Sequence, residues 1–149
     1  MDLGIQNRVA LILASSKGLG KAVAIELAKE GARVIICGTD AAALATTKAE
    51  IEVIAPNNVV SFICDITDED QRKNLVEQSI KAFGNIEILV TNTGGPATGP
   101  FEQFNLEDWK HLYNLLFLSA VDIIQQVLPN MKKKGFGRIL TITSVAVKQ

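Results

Sequence analysis

The chain has one histidine, His111, and two cysteines, Cys37 and Cys64, among its 149 residues. No cluster of these residues has ligand spacing, so no metal site is expected. Each cysteine sits inside an apolar run. That placement fits small core residues of a reduced, cytoplasmic protein better than a disulfide. A charge excess of either sign is also missing, because the formal net charge is -1. Nothing in that balance calls for nucleic acid or an acidic membrane as a partner. The one basic run, Lys132-Lys133-Lys134, falls at a helix end, where it complements the helix dipole. Long hydrophobic runs are absent too. The longest, Leu115 to Val121, is interrupted by Ser119 and is too short to span a bilayer. Met1 to Arg8 is polar, so no signal peptide is expected. Hydrophobic residues make up 48% and charged residues 21%, a balance that supports one ordered domain over residues 1–149. There is no repeat, no low-complexity tract and no sign of a second domain.

Short apolar runs alternate with longer helical ones. Val9 to Ala14 reads as a strand buried on both faces. Leu19 to Glu30 then carries apolar residues at helical spacing, and Gly31 stops it. Val34 to Cys37 is a second strand. Asp40 can cap an alanine-rich helix running from Ala41 to about Val53, and Pro56-Asn57-Asn58 breaks it. Val59 to Cys64 is the third strand. Thr67 followed by Asp70 has the form of a capping box for a helix ending at Phe83. Ile86 to Val90 is the fourth strand, and Asn92 to Pro100 is a glycine- and proline-rich loop. Asn105 opens the longest helix, about Leu106 to Lys134, with a kink expected at Pro129. Arg138 to Thr143 is the fifth strand. This βαβαβαβαβ order, with near-continuous apolar strands, predicts an α/β fold: a three-layer doubly wound parallel sheet with helices on both faces. Right-handed crossovers give the strand order 3-2-1-4-5. Ligands of such sheets bind beyond the carboxyl ends of the strands, at the switch between strands one and four.

The first loop on that rim is Ala14-Ser15-Ser16-Lys17-Gly18-Leu19-Gly20. Small residues let its backbone approach a pyrophosphate, and the following helix aims free N–H groups and a positive dipole end at the anion. The three-glycine dinucleotide fingerprint is not met, since position 23 is Val. By itself the segment also reads as a tight strand-to-helix turn; its place at the switch point favours the phosphate site. An acid directly after strand two would grip a ribose 2′-hydroxyl and repel a 2′-phosphate. Gly38-Thr39 stands there, and the first acid is Asp40.

The loop resembles the Thr-Gly-x-x-x-Gly-x-Gly motif of the short-chain dehydrogenases/reductases. Gly18 and Gly20 match its last two glycines; Leu13 and Ala14 depart from its Thr and first Gly. The resemblance continues along the chain. Asp65, ending strand three, matches the family's adenine-contacting aspartate, with Ile66 beside it. Thr91-Asn92-Thr93-Gly94 resembles Asn-Asn-Ala-Gly. Trp109-Lys-His-Leu-Tyr-Asn114 resembles the helix bearing the active-site Asn, and Gly137-Arg-Ile-Leu-Thr-Ile-Thr-Ser144 the strand leading to the catalytic Ser. The resemblance implies a Rossmann fold and hydride transfer between a nicotinamide and a small-molecule carbonyl or alcohol. It implies Ser144 and Asn114 as catalytic residues. It implies cofactor contacts from Ser15, Ser16, Lys17, Gly18, Leu19, Gly20, Thr39, Asp65, Ile66, Asn92 and Gly94. Lys17 stands where the family often carries a basic residue for the 2′-phosphate, so NADP(H) is expected ahead of NAD(H); its alternative is a solvated loop lysine.

The family's Tyr-x-x-x-Lys proton-donor motif would fall after Gln149. Tyr113, the only tyrosine, lies in the Asn114 helix and does not replace it. The implied activity is that of a short-chain reductase, most similar to the 3-oxoacyl-acyl-carrier-protein reductase branch. The alternatives are a noncatalytic dinucleotide-binding or dimerisation module, and an interaction protein that no longer binds nucleotide. The helix from Leu106 to Lys134 is apolar on two sides: Leu112, Leu116 and Ile123, then Phe117, Val121, Ile124 and Leu128. One side can cover the sheet; the other suggests a homodimer or homotetramer.

Overall fold

Successive residues of the first strand point to opposite faces of the sheet, and here both faces are covered. Ala10 and Ile12 join one apolar cluster with Ala24, Ala28, Leu44 and Ile51. Val9, Leu11 and Leu13 join another with Leu75, Val76, Ile123, Val127 and Met131. This is the three-layer arrangement expected of strands that are apolar at every position. Full burial of each such Leu or Ile side chain stabilises the fold by about 1.5–3 kcal/mol.

The computed structural model describes residues 2–144. In order, the elements are β1 (Val9–Ile12), α1 (Gly18–Lys29), β2 (Arg33–Gly38), α2 (Ala41–Ile54), β3 (Val59–Ile63) and α3 (Glu69–Phe83). Next come β4 (Ile88–Thr91), a 3-10 turn at Phe101–Gln103, α4 (Leu106–Tyr113), a π-helical turn at Asn114–Leu118, α5 (Ser119–Lys134) and β5 (Arg138–Thr141). All four strand pairings are parallel, and the sheet order is β3-β2-β1-β4-β5, as the sequence predicts. Helices α1 and α2 cover one face; α3 and α5 cover the other.

Three local expectations are corrected. The cap of α3 is Asp68, which accepts from the Gln71 N–H at 3.0 Å. Thr67 instead donates its hydroxyl to Asp65 at 2.8 Å, so the helix starts one residue later than a Thr67 cap requires. Strand β1 stops at Ile12 rather than Ala14, because Ala14 turns to φ 46°. The long helix runs through Pro129 as part of α5, and its irregularity falls at Asn114–Leu118. There the Ser119 N–H reaches back five residues to the Asn114 carbonyl. The Ser119 hydroxyl competes with the backbone at this turn by donating to Leu115 O, and the Asn114 side chain reaches outside the helix to donate to Thr67 O.

From Leu106 to Lys134 the helix is 29 residues long, and its most apolar window has a mean hydropathy of 1.3. Length and composition alone would let it cross a bilayer, which corrects the estimate from the Leu115–Val121 run. Ser119, Ile123, Val127 and Met131 nevertheless form a buried stripe against the sheet, as a sheet-covering helix requires. At the opposite end of the strands, Glu87 is buried and accepts from Arg8 at 2.7 Å and from the Val9 N–H at 3.3 Å. Lys134 lies 3.5 Å from the same carboxylate.

Candidate cofactor and active site

The rim is organised where β1 and β4 separate the two halves of the sheet. Beyond β1, the chain enters α1 through Ala14, Ser15, Ser16 and Lys17. Ala14 is a non-glycine residue at positive φ, a left-handed conformation that costs an L-residue about 1–2 kcal/mol. Its carbonyl accepts the Asn92 side-chain amide at 3.0 Å, which fastens the end of β4 to this loop. A methyl group on Gly20 would lie 2.4 Å from that same carbonyl, 2.8 Å from Asn92 Nδ2 and 2.9 Å from Ser15 Cα. Only glycine permits α1 to start so close under the loop. Gly18 is glycine for another reason. Its φ is 59°, and a Cβ there would meet nothing within 4 Å, so the space above it is open.

Helix α1 begins without a side-chain cap and without an acidic residue in its first turn. Its first N–H groups have no intrahelical acceptors, and the positive dipole end is not neutralised. A tight glycine approach, an open space and an uncapped helix start together fit a pyrophosphate.

Ser15 is completely buried. Its hydroxyl donates to Ile12 O at 2.7 Å and accepts the Cys37 N–H at 3.0 Å, which locks β1 to β2. The Ser16 carbonyl is held by the Thr47 hydroxyl at 2.8 Å. Lys17 and Leu19 are exposed. Lys17 has no ion-pair partner among the described residues. Beyond β2, Thr39 is exposed, and the Asp40 carboxylate caps α2 by accepting the Ala43 N–H at 3.0 Å. The acid nearest to β2 is thus engaged with a helix start.

Beyond β3, the exposed Asp65 accepts both the N–H and the hydroxyl of Thr67, at 2.9 and 2.8 Å. Ile66 is buried beneath it. The Thr67 carbonyl accepts the Asn114 amide at 2.7 Å, so the turn after β3 and the π-helical turn are joined directly. Gly94 is exposed, with nothing within 4 Å of the place a Cβ would take. Ser144 is exposed just beyond β5, whose Thr141 hydroxyl is bonded to that of Thr91 at 3.0 Å. Cys37 and Cys64 are free thiols within the core. Burial pushes Cys37 up to about 12, helped by the neighbouring Cys64. Burial pushes Cys64 up to about 11, helped by the Asp65 charge. Neither is a nucleophile at neutral pH.

Arg72, Gln71 and Asp122 hold the turn after β3 from beneath and carry no signal in the sequence. A basic residue in the first turns of an otherwise ordinary amphipathic helix gives no pattern that would mark it. Equally without a sequence signal is an apolar groove of about 700 Å³ between the loop after β4 and the outer face of the long helix. Phe101, Phe104, Trp109, Tyr113, Leu116 and Phe117 are among its lining residues. The spacing of the aromatic residues along α4 was visible; the return of Phe101 and Phe104 onto Trp109 was not.

The family model for short chain dehydrogenases matches residues 8–149. A 7α-hydroxysteroid dehydrogenase of Escherichia coli is 34% identical over 147 residues, 99% of this chain and 57% of that protein. The 3-oxoacyl-[acyl-carrier-protein] reductase FabG of Thermotoga maritima is 31% identical over 141 residues, 95% of this chain and 57% of that protein. The chain therefore spans a little over half the length of these curated relatives. Among solved structures, L-sorbose reductase from Gluconobacter frateurii, complexed with NADPH and L-sorbose, matches with a TM-score of 0.92 at 29% identity. That match covers 97% of this chain and 55% of the other. A 7α-hydroxysteroid dehydrogenase complexed with NADH matches with a TM-score of 0.90 at 33% identity, covering 97% and 56%. With the sheet order, the glycine loop at the switch point and the Asn92 link, these matches establish that the chain belongs to the short-chain dehydrogenase/reductase family of nicotinamide-dependent oxidoreductases.

Proposed function

We propose that this chain forms the cofactor-binding part of an NADP(H)-dependent reductase that interconverts a small-molecule carbonyl and an alcohol. The observation that carries this is the uncapped start of α1 beneath a loop into which Gly20 alone fits. The nicotinamide supplies or takes up the hydride when it is bound. The N–H groups of Ser16, Gly18, Leu19 and Gly20 would hold the pyrophosphate, with Ser15 fixing the loop from beneath, since its N–H donates to Cys37 O at 2.8 Å. Asp65 and the backbone of Ile66 would flank the adenine. Asn92 would fix the loop from below, and Gly94 would let the chain pass close to the nicotinamide ribose. Ser144 would donate a hydrogen bond to the reacting oxygen, stabilising charge that develops there. Asn114 would hold its helix turn in register with the site.

NADP(H) is favoured over NAD(H) by two features. Thr39 follows β2 where an acid would repel a 2′-phosphate, and Asp40 is already engaged at α2. Lys17 adds an exposed positive charge without a protein partner among the described residues. The similar proteins are solved with NADPH in one case and NADH in the other, so the preference rests on these side chains. Titration with NADPH and NADH tests it: tighter NADPH binding supports the assignment, and tighter NADH binding refutes it.

A 3-oxoacyl thioester is the substrate class we propose, on the strength of the acyl-carrier reductase relative. NADPH oxidation with an acetoacetyl thioester, against a hydroxysteroid as the competing class, tests it. The exposed aromatic face of the long helix supports self-association into a homodimer or homotetramer. Trp109, Tyr113, Leu116 and Phe117 are all exposed there, although they are large and apolar. A reduced, cytoplasmic setting fits the two buried free thiols.

A further inference from the structure

We propose that Arg72 and Asp122 are positioning residues for the adenine end of the cofactor, acting as a buried bridge that holds the turn after β3 onto α5. The proposal rests on the nicotinamide-dinucleotide assignment above.

Arg72 is 5% exposed, an unusual state for a cation without a strong partner. Its Nε donates to the Asp122 carboxylate of α5. Its Nη1 donates to the Ile66 carbonyl at 2.8 Å. The other oxygen of Asp122 accepts from Gln126 at 3.1 Å, which orients the carboxylate along its own helix. One guanidinium thus joins a side chain of α5 to a backbone atom of the rim. Two neighbouring peptide groups are held in the same manner. The Asp65 N–H donates to Gln71 Oε1 at 2.9 Å, and the Thr67 carbonyl accepts from Asn114 at 2.7 Å. Side chains from α3 and the long helix therefore fix three consecutive residues of the turn after β3, of which Asp65 is exposed.

The fold does not need this arrangement to bring α3 and α5 together. Leu75, Val76, Ile123 and Val127 already pack in one apolar cluster, and Ile66 is anchored in it. A buried ion pair is weak as a source of stability, because the desolvation cost offsets most of the attraction. What the bridge does supply is direction: a fork of donors at fixed angles. The atoms it fixes lie beside Asp65, on the rim where ligands of such sheets bind.

The test titrates 5′-AMP, reduced nicotinamide mononucleotide and NADPH into the full chain by calorimetry. Wild type is compared with Arg72→Met, Arg72→Lys and Arg72→Met/Asp122→Asn. Arg72→Met should weaken 5′-AMP and NADPH about tenfold, because the released turn must then be ordered on binding, at about the conformational entropy of one residue. Reduced nicotinamide mononucleotide should change less than about twofold, since nothing at its end of the site is touched. The double variant should be no worse than Arg72→Met, because both residues act through one bridge. Arg72→Lys keeps the charge facing Asp122 but loses the fork, so it should show a smaller loss confined to the adenine-bearing ligands. If Arg72→Met fails to fold, Arg72→Lys carries the comparison alone. Equal losses for both halves of the cofactor, or an unchanged 5′-AMP affinity in a folded variant, overturn the proposal. Wild type that binds neither NADPH nor NADH overturns the cofactor assignment and this proposal together.

Discussion

Gly20→Ala is the substitution that the structure constrains most tightly. The added methyl would stand 2.4 Å from the Ala14 carbonyl oxygen, 2.8 Å from Asn92 Nδ2 and 2.9 Å from Ser15 Cα. Two of those three atoms are backbone, so no rotamer change relieves them. The Asn92 amide could swing aside only by giving up its 3.0 Å bond to Ala14 O. Overpacking of this kind costs about 1–3 kcal/mol. The lost hydrogen bond adds about 1 kcal/mol. We therefore expect Gly20→Ala to lower the unfolding free energy by about 2–4 kcal/mol, seen as a lower urea midpoint at unchanged slope. The loop must also move away from the start of α1, so NADPH affinity should fall at least about tenfold, a loss of about 1.4 kcal/mol. Gly18→Ala is the control. It meets nothing within 4 Å and pays only for its φ of 59°, about 1–2 kcal/mol. A Gly20→Ala protein within about 0.5 kcal/mol of wild type, the range of neutral surface changes, would refute the reasoning. So would a Gly18→Ala protein that is the less stable of the two.

Lys17→Ala should weaken NADPH about fivefold to tenfold and leave NADH nearly unchanged in parallel titrations, since one charge-assisted phosphate contact is removed. Glu87 is desolvated, which raises its pKa, but the Arg8 hydrogen bond, the Val9 N–H and the Lys134 charge together hold it below its ordinary 4.5. The unfolded chain therefore binds the extra proton first, and this contribution is complete above about pH 4.5 and lost as pH falls through the native value. Urea midpoints should accordingly fall more steeply below pH 4.5 for wild type than for Glu87→Gln, and parallel curves would contradict the assignment. Cys37 and Cys64, with pKa values pushed to about 12 and 11, should resist alkylation at pH 8 until the chain unfolds. Phe117→Asp should shift sedimentation toward the monomer, because it places a charge on the exposed aromatic face.

The sheet order and all five strands were legible in the sequence, because a strand covered on both faces is apolar at nearly every position, and the edge strand β5, though exposed, still carries Ile139 and Leu140. Val9 to Leu13 shows this, dividing its side chains between the two core clusters. The glycine loop was legible as a type of turn. That Gly20 answers a close approach while Gly18 answers a torsion angle was not, since both are simply glycine in the sequence. Thr67 misled as a cap because Asp68 beside it is an equally good one; the hydrogen bonds of Asp65 settle which residue is used. The irregular turn at Asn114 was hidden for a different reason. The Asn114 side chain there is engaged with a partner 47 residues away, the Thr67 carbonyl, which no local pattern shows. The Arg72–Asp122 bridge was invisible on the same grounds, at a separation of 50 residues.

The most direct test of the phosphate site is an amide-resolved NMR titration of the chain with NADPH. The largest shifts should fall on the N–H groups of Ser16 to Gly20, with a second group at Asp65 and Ile66. Saturable NADPH binding that leaves Gly18, Leu19 and Gly20 unshifted, or no binding of NADPH or NADH at all, would contradict that site.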